Sequence, residues 1–140
     1  MIETIFDAIK AYLVLVDEIE EVLEYPTDQP TGYPYAWVEY VGDESEILNN
    51  QSDRVTYEFR IRLIQEKFED IKGRANAEET TRDRAYTISE KFRANNNLNT
   101  GTVLKMRPIR TEKEYVQGAT RIQLTITLMV ETIETITRSS

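Results

Sequence analysis

Two stretches of the chain alternate apolar and polar side chains with a period of two. In "RVTYEFRIRLIQE", residues 54–66, Val55, Tyr57, Phe59, Ile61 and Leu63 share one face, while Thr56, Glu58, Arg60 and Arg62 share the other. In "TRIQLTITLMVE", residues 120–131, Ile122, Leu124, Ile126, Leu128 and Val130 alternate with Arg121, Gln123, Thr125, Thr127 and Met129. Successive strand side chains point to opposite sides of a sheet, so this pattern predicts half-buried strands over 54–66 and 119–131. These are the most apolar strands of the chain and are expected at the centre of the sheet. Their second faces are neither apolar nor heavily charged, and what covers them is the question the pattern raises.

A period between three and four marks the N-terminus. Ile2, Ile5, Phe6, Ile9, Leu13 and Val16 form one stripe, with Glu3, Asp7, Lys10 and Asp17 off it, which predicts a helix over 2–17. Glu20 then falls where the stripe would continue; Ile19, Val22 and Leu23 fit either a last helical turn or a short extended piece. Three prolines and a glycine in "YPTDQPTGYP" dictate a loop over 25–34. "YAWVEYV" is rich in aromatic and β-branched residues and predicts a strand over 35–41, with Ala36, Val38 and Tyr40 on one face and Tyr35, Trp37, Glu39 and Val41 on the other. The polar run "GDESEILNNQSD" reads as a long hairpin loop, 42–53, with room for short strand extensions around Glu46 to Leu48.

In the second half, Asn76 followed by Glu79 resembles a capping box, and the spacing predicts a helix over 77–94 that buries Ala77, Thr81, Ala85, Ile88 and Phe92. Asn95 to Asn97 would supply its C-terminal cap. A strand is expected over 102–111. Pro108 has no N–H to donate, so this strand should lie at a sheet edge or carry a bulge. Residues 132–140 read as a polar tail. The sum is one α+β domain over 1–140, in the order α-β-β-α-β-β: an antiparallel sheet of about four strands with two helices on one face. Two helices cover one side of such a sheet, so the other side meets solvent or another subunit.

Composition narrows the chemistry. The 140 residues include no cysteine and no histidine, which removes disulfides, thiolate metal sites and thiol nucleophiles, together with every triad that uses histidine as its base. Seventeen basic against twenty-five acidic side chains give a formal charge of -8, which opposes a tight grip on a phosphate backbone. The apolar run at the N-terminus is short and flanked by acids, so neither a signal peptide nor a membrane span is expected.

Candidate reaction centres fail on spacing. Asp43, Glu44 and Glu46 do not follow the alternation of a calcium loop. Asp70 and Lys72 match half of a metal-nuclease signature, but no proline in the chain is followed by aspartate. The five glycines are dispersed, so there is no phosphate loop. Trp37 either forms part of an exposed apolar patch, the common mark of a protein contact, or is covered by the 25–34 loop. No catalytic residue, metal or cofactor is expected, and the chain is read as a non-enzyme.

The layout as a whole, from the N-terminal helix through "YPTDQPTGYPYAWVEY", "RVTYEFRIRLIQE" and "AEETTRDRAYTISEKF" to "TRIQLTITLMVE", resembles the tail terminator, or tail-completion, proteins of long-tailed bacteriophages. The resemblance lies in element order, length and texture, and no residue motif is carried over. It implies a small α+β subunit that closes into a ring of six copies. Such a ring caps the tail tube, stops its growth and offers a surface to the head connector, while DNA passes through the bore without specific binding. It implies a place in the tail-neck region of the virion and assembly in the host cytoplasm, with no membrane partner. Contacts are expected at Trp37, at Asp43, Glu44 and Glu46 of the hairpin loop, at Glu58, Arg60 and Arg62, and at Arg121, Thr125 and Thr127. The rival readings are another connector or neck protein and a cytoplasmic dimeric binding module.

Overall fold

The structure, a computed structural model, describes residues 2–16, 19–23, 32–68, 71–94, 103–118 and 120–135. Its elements are α1 (Ile2–Val14), β1 (Glu21–Leu23), β2 (Tyr35–Asn49), β3 (Ser52–Ile64), α2 (Ile71–Ala94), β4 (Val103–Val116) and β5 (Arg121–Thr135). The strands form one five-stranded sheet in the order β1-β2-β3-β5-β4. Only the β1–β2 pairing is parallel; β2–β3, β3–β5 and β5–β4 are antiparallel.

The core follows from the two periodicities. Val55, Tyr57, Phe59, Ile61 and Leu63 of β3 and Leu124, Ile126, Leu128 and Val130 of β5 project to one side of the sheet. There they meet Ile5, Ile9 and Leu13 of α1 and Ile88 and Phe92 of α2 in a single cluster. The helices therefore share that side, with α1 against β1 and β2 and α2 against β4 and β5. The ring of Tyr12 lies 5.9 Å from that of Phe92, and Lys91 Nζ donates to the Leu15 carbonyl at 3.2 Å, joining the two helices. Each fully buried aliphatic side chain in this cluster contributes about 1.5–3 kcal/mol by leaving water.

α2 is the more polar helix and is held also by side-chain hydrogen bonds. Arg84 donates to the Glu66 carboxylate at 2.9 and 3.0 Å, Thr81 pairs with Gln65, and Glu78 accepts from Lys113 and Tyr115 of β4.

Several expectations are corrected. The sheet is mixed and has five strands, not about four antiparallel ones, and the element order is α-β-β-β-α-β-β. The extra strand is β1, whose Val22 and Leu23 pair with Ala36 and Trp37. The predicted loop over 42–53 is instead most of a hairpin, in which β2 and β3 run to a turn at Asn50 and Gln51, closed by Gln51 N donating to Asn49 Oδ1 at 2.8 Å. Residues 43–49 are exposed on both faces, so no apolar alternation records the strand; the backbone ladder and a Glu46–Arg54 pair hold it.

β4 continues to Val116 and β5 to Thr135, so 132–135 belong to the sheet. α2 begins at Ile71 rather than 77 and takes in Asn76, so no capping box forms there. Arg74 Nε donating to the Tyr115 hydroxyl at 3.2 Å ties this early turn to β4, and a tertiary anchor of that kind overrides the local start signal. Helix α1 ends at Val14, although Val16 is still buried. Pro108 lies on an edge strand beside a bulge between Pro108 and Arg110. Asp70, Asn95 to Asn97 and residues 24–31 lie outside the described residues.

Candidate docking surface

The side of the sheet facing away from the helices is built by the polar phases of four strands. Register places Trp37, Arg62, Thr125 and Glu112 in one row across the strands; Glu39, Arg60, Thr127 and Arg110 form the next, and Gly42, Glu58, Met129 and Arg107 the one after. The central strand thus presents Glu58, Arg60 and Arg62 beside Thr125 of β5, as the alternation of the sequence requires, whereas Thr127, in the same phase, is buried.

Many charges on this surface are matched locally, though Glu44 and Arg107 have no ion-pair partner among the described residues. Arg62 Nε donates to Glu39 Oε2 at 2.8 Å and Trp37 Nε1 donates to Glu39 Oε1 at 2.9 Å, so one carboxylate is held from two sides. Burial alone would raise the Glu39 carboxyl, but those two donors and the positive charges of Arg62 and Arg60 outweigh it and hold it below the usual carboxylate range. Arg60 pairs with Glu58 at 3.4 Å. Further along, Arg54 reaches Glu131 at 3.2 Å and Glu46 at 3.7 Å, and Lys105 reaches Glu131 at 3.5 Å. Arg60, Arg62, Arg110, Glu112, Glu114 and Thr125 line a shallow depression in the middle of the face.

The two ends of this surface differ. At the β1 end Trp37 is only 5% exposed, packed with Tyr35 and Ile64 under Leu23 and Tyr33. Trp37 is therefore buried and not part of an exposed patch; the residues packed against its cluster are Leu23 of β1 and Tyr33, the latter from the 25–34 segment. Arg121 is committed to the same end: its guanidinium lies 3.7 Å from the Tyr33 ring centroid, donates to the Gln65 carbonyl at 3.0 Å and to Gln117 Oε1 at 2.8 Å. At the other end the β2–β3 hairpin extends as an arm. Glu44 and Glu46 lie on its face away from the helices, opposite Thr56 and Arg54, whereas Asp43 turns to the helix side and accepts a hydrogen bond from Tyr40.

The resolved shifts at Glu39, Glu66 and Glu78 are downward and those at Tyr40 and Tyr57 are upward, so each moves a group further from neutrality. For Tyr57 the causes are burial and its hydrogen bond to Glu134. General acid–base catalysis near neutral pH needs the opposite adjustment. Among the described residues no group of acidic side chains is arranged to hold a metal ion, and no helix is long and apolar enough to cross a membrane.

Sequence reasoning omitted Glu39, Arg54, Arg110 and Glu131 from this surface. Glu39 and Arg54 were accessible, since they keep phase with Trp37 and Thr56; Arg110 was not, because the bulge at Pro108 shifts its phase.

No protein-family model and no curated protein matches the sequence. Among solved structures, the fold is similar to that of a chain in the virion of a native gene transfer agent (GTA) particle, with a TM-score of 0.54 and 10% sequence identity, over 90% of this chain and 84% of that chain. At this identity the two share a fold: an α+β subunit with helices on one side of a sheet.

Proposed function

We propose that this protein is a structural subunit of a phage-like particle, and more narrowly a tail terminator. Copies close into a ring of six that caps the tail tube, ends its polymerisation and presents the surface to which the head connector docks. The observation that carries the reading is a fold match, over 90% of this chain and 84% of the other, to a component of a virion particle. The uncovered, charge-matched side of the sheet supports it. Side chains that already satisfy one another can exchange partners across a contact or border a bore with little desolvation penalty. A subunit that works by assembly needs no reactive group, and this one offers no histidine or cysteine. Its acidic balance suits a channel through which DNA slides.

The test is genetic and visual. Particles made without this protein should carry tails of uncontrolled length or tails unattached to heads, and gold labelling of the protein should mark the head–tail junction. Normal particles in its absence would refute the reading. Label on the head side of the junction, with tails of normal length, would make it a connector protein instead.

A further inference from the structure

Among the described residues the sheet has two long free edges. β1 pairs only with residues 35–37 of β2, so from Val38 to Asn49 the outer edge of β2 has no strand partner among the described residues. The outer edge of β4 is free in the same sense over Val103–Val116. Unpaired strand edges are templates for association, and chains manage them with charge, proline and bulges. Both edges here carry such devices, but with opposite sign.

On the β2 arm, residues 41–49 include Asp43, Glu44 and Glu46 and no basic residue. On β4, residues 103–110 include Lys105, Arg107 and Arg110 and no acidic residue. Register puts Glu44 and Glu46 on the same side of the sheet as Lys105, Arg107 and Arg110, the side away from the helices. Glu44 and Arg107 have no ion-pair partner among the described residues. The pairs that engage their neighbours are long: Arg54–Glu46 at 3.7 Å, Lys105–Glu131 at 3.5 Å and Arg110–Glu112 at 3.6 Å. Exposed aliphatics accompany the charges on both edges, Val41, Ile47 and Leu48 on β2 and Leu104 and Ile109 on β4, which supplies the apolar component a contact requires.

We infer that the acidic outer edge of the β2 arm of one copy docks along the basic first part, 103–110, of the outer edge of β4 of the next, the acidic Glu112 and Glu114 lying beyond the contact. This deepens the ring reading above and rests on it. Direction agrees: the antiparallel sequence β2, β3, β5, β4 leaves the two edge strands running oppositely. Copies related by rotation about an axis along the strands therefore meet antiparallel. The contact is heterologous, each copy giving one edge and receiving the other, which is the kind that closes into rings. Like edges repel, so pairing of β2 with β2 or β4 with β4 is disfavoured. Pro108 interrupts any ladder, and side chains carry the contact there.

Because the chain contains no cysteine, engineered thiols report the contact cleanly. Ser45→Cys and Thr111→Cys are placed on exposed, uncharged positions of the two edges, both on the helix side of the sheet. The two variants, mixed and treated with a short bismaleimide, should give a covalent dimer at about tenfold the yield of either alone, and added salt should lower that yield. Glu44→Lys with Glu46→Lys in the Ser45→Cys chain should abolish the excess, as should Lys105→Glu with Arg107→Glu in the Thr111→Cys chain. Mixing the two charge-reversed chains should restore it. Equal yields in mixed and unmixed samples, or indifference to reversal, overturn the edge assignment. Light scattering on the same samples separates the two ideas. Oligomers without edge cross-links refute this inference alone, whereas edge cross-links with normal particles in the deletion strain refute only the tail role.

Discussion

Removing one side chain should show how α2 is attached. Phe92 is completely buried, and with Ile88 it is the main apolar foothold of a helix whose other buried positions include Thr81 and Ser89. Its ring also abuts Tyr12 of α1. Phe92→Ala should therefore open a cavity at the junction of both helices and the sheet, where neighbours on three sides limit collapse, and cost about 3–5 kcal/mol. An unfolding entropy of about 2.1 cal/mol/K per residue over 140 residues is close to 0.3 kcal/mol/K, so the melting temperature should fall by about 10–17 °C. Tyr86→Ala is the control: it removes an aromatic ring from the same helix at a position 68% exposed and should change stability by less than about 0.5 kcal/mol. Thermal and urea unfolding followed by circular dichroism measure both. A Phe92→Ala loss under about 1.5 kcal/mol, or an equal effect of Tyr86→Ala, would refute this account and leave the polar anchors as what seats the helix.

Acid should weaken the fold through three carboxyls. At Glu39 and Glu66 burial pushes the pKa up but the partners Arg62, Trp37 and Arg84 prevail, and at Glu78 Lys113 and Tyr115 pull it down, so all three lie below their ordinary values. Their stabilisation is complete above the unfolded value of about 4.3 and is lost as pH falls through the lowered native values. The loss should read as a fall in urea midpoint between pH 7 and pH 3 that shrinks when all three are changed to Gln, and solvent screening keeps it small at the exposed Glu78. Arg121→Ala removes the stack on Tyr33 and two hydrogen bonds and should cost about 1–2 kcal/mol by urea titration. Gly118 sits at φ +70°, a left-handed conformation, with open space where a Cβ would be. Gly118→Ala should thus lower stability by about 1 kcal/mol in the same titration, through backbone strain alone.

Legibility in the sequence followed burial. β3 and β5, each with one face in the core and one out, alternate cleanly, and their interior places in the sheet follow from that. The helix stripe that ends in Ile88 and Phe92 was equally readable. The β2 arm was not, because a strand exposed on both faces has no reason to alternate; a mixed polar segment looks the same whether it pairs or loops. β1 was ambiguous since three residues are too few to establish a period. The start of α2 was misplaced because Arg74 and Glu78 are tied to Tyr115 and Lys113, contacts that join distant parts of the chain. For the docking surface, the phases of Glu58, Arg60, Arg62, Thr125 and Thr127 were visible. The burial of Trp37 and the commitment of Arg121 required knowing where Tyr33 lies.

The arm formed by residues 41–49 owes nothing to the hydrophobic cluster, and this separates two kinds of selection within one sheet. Substitutions under the helices are judged by the fold, whereas substitutions on the arm are judged by whatever the arm touches. A lineage of such subunits can therefore rewrite its address by changing the arm while the scaffold behind it stays the same.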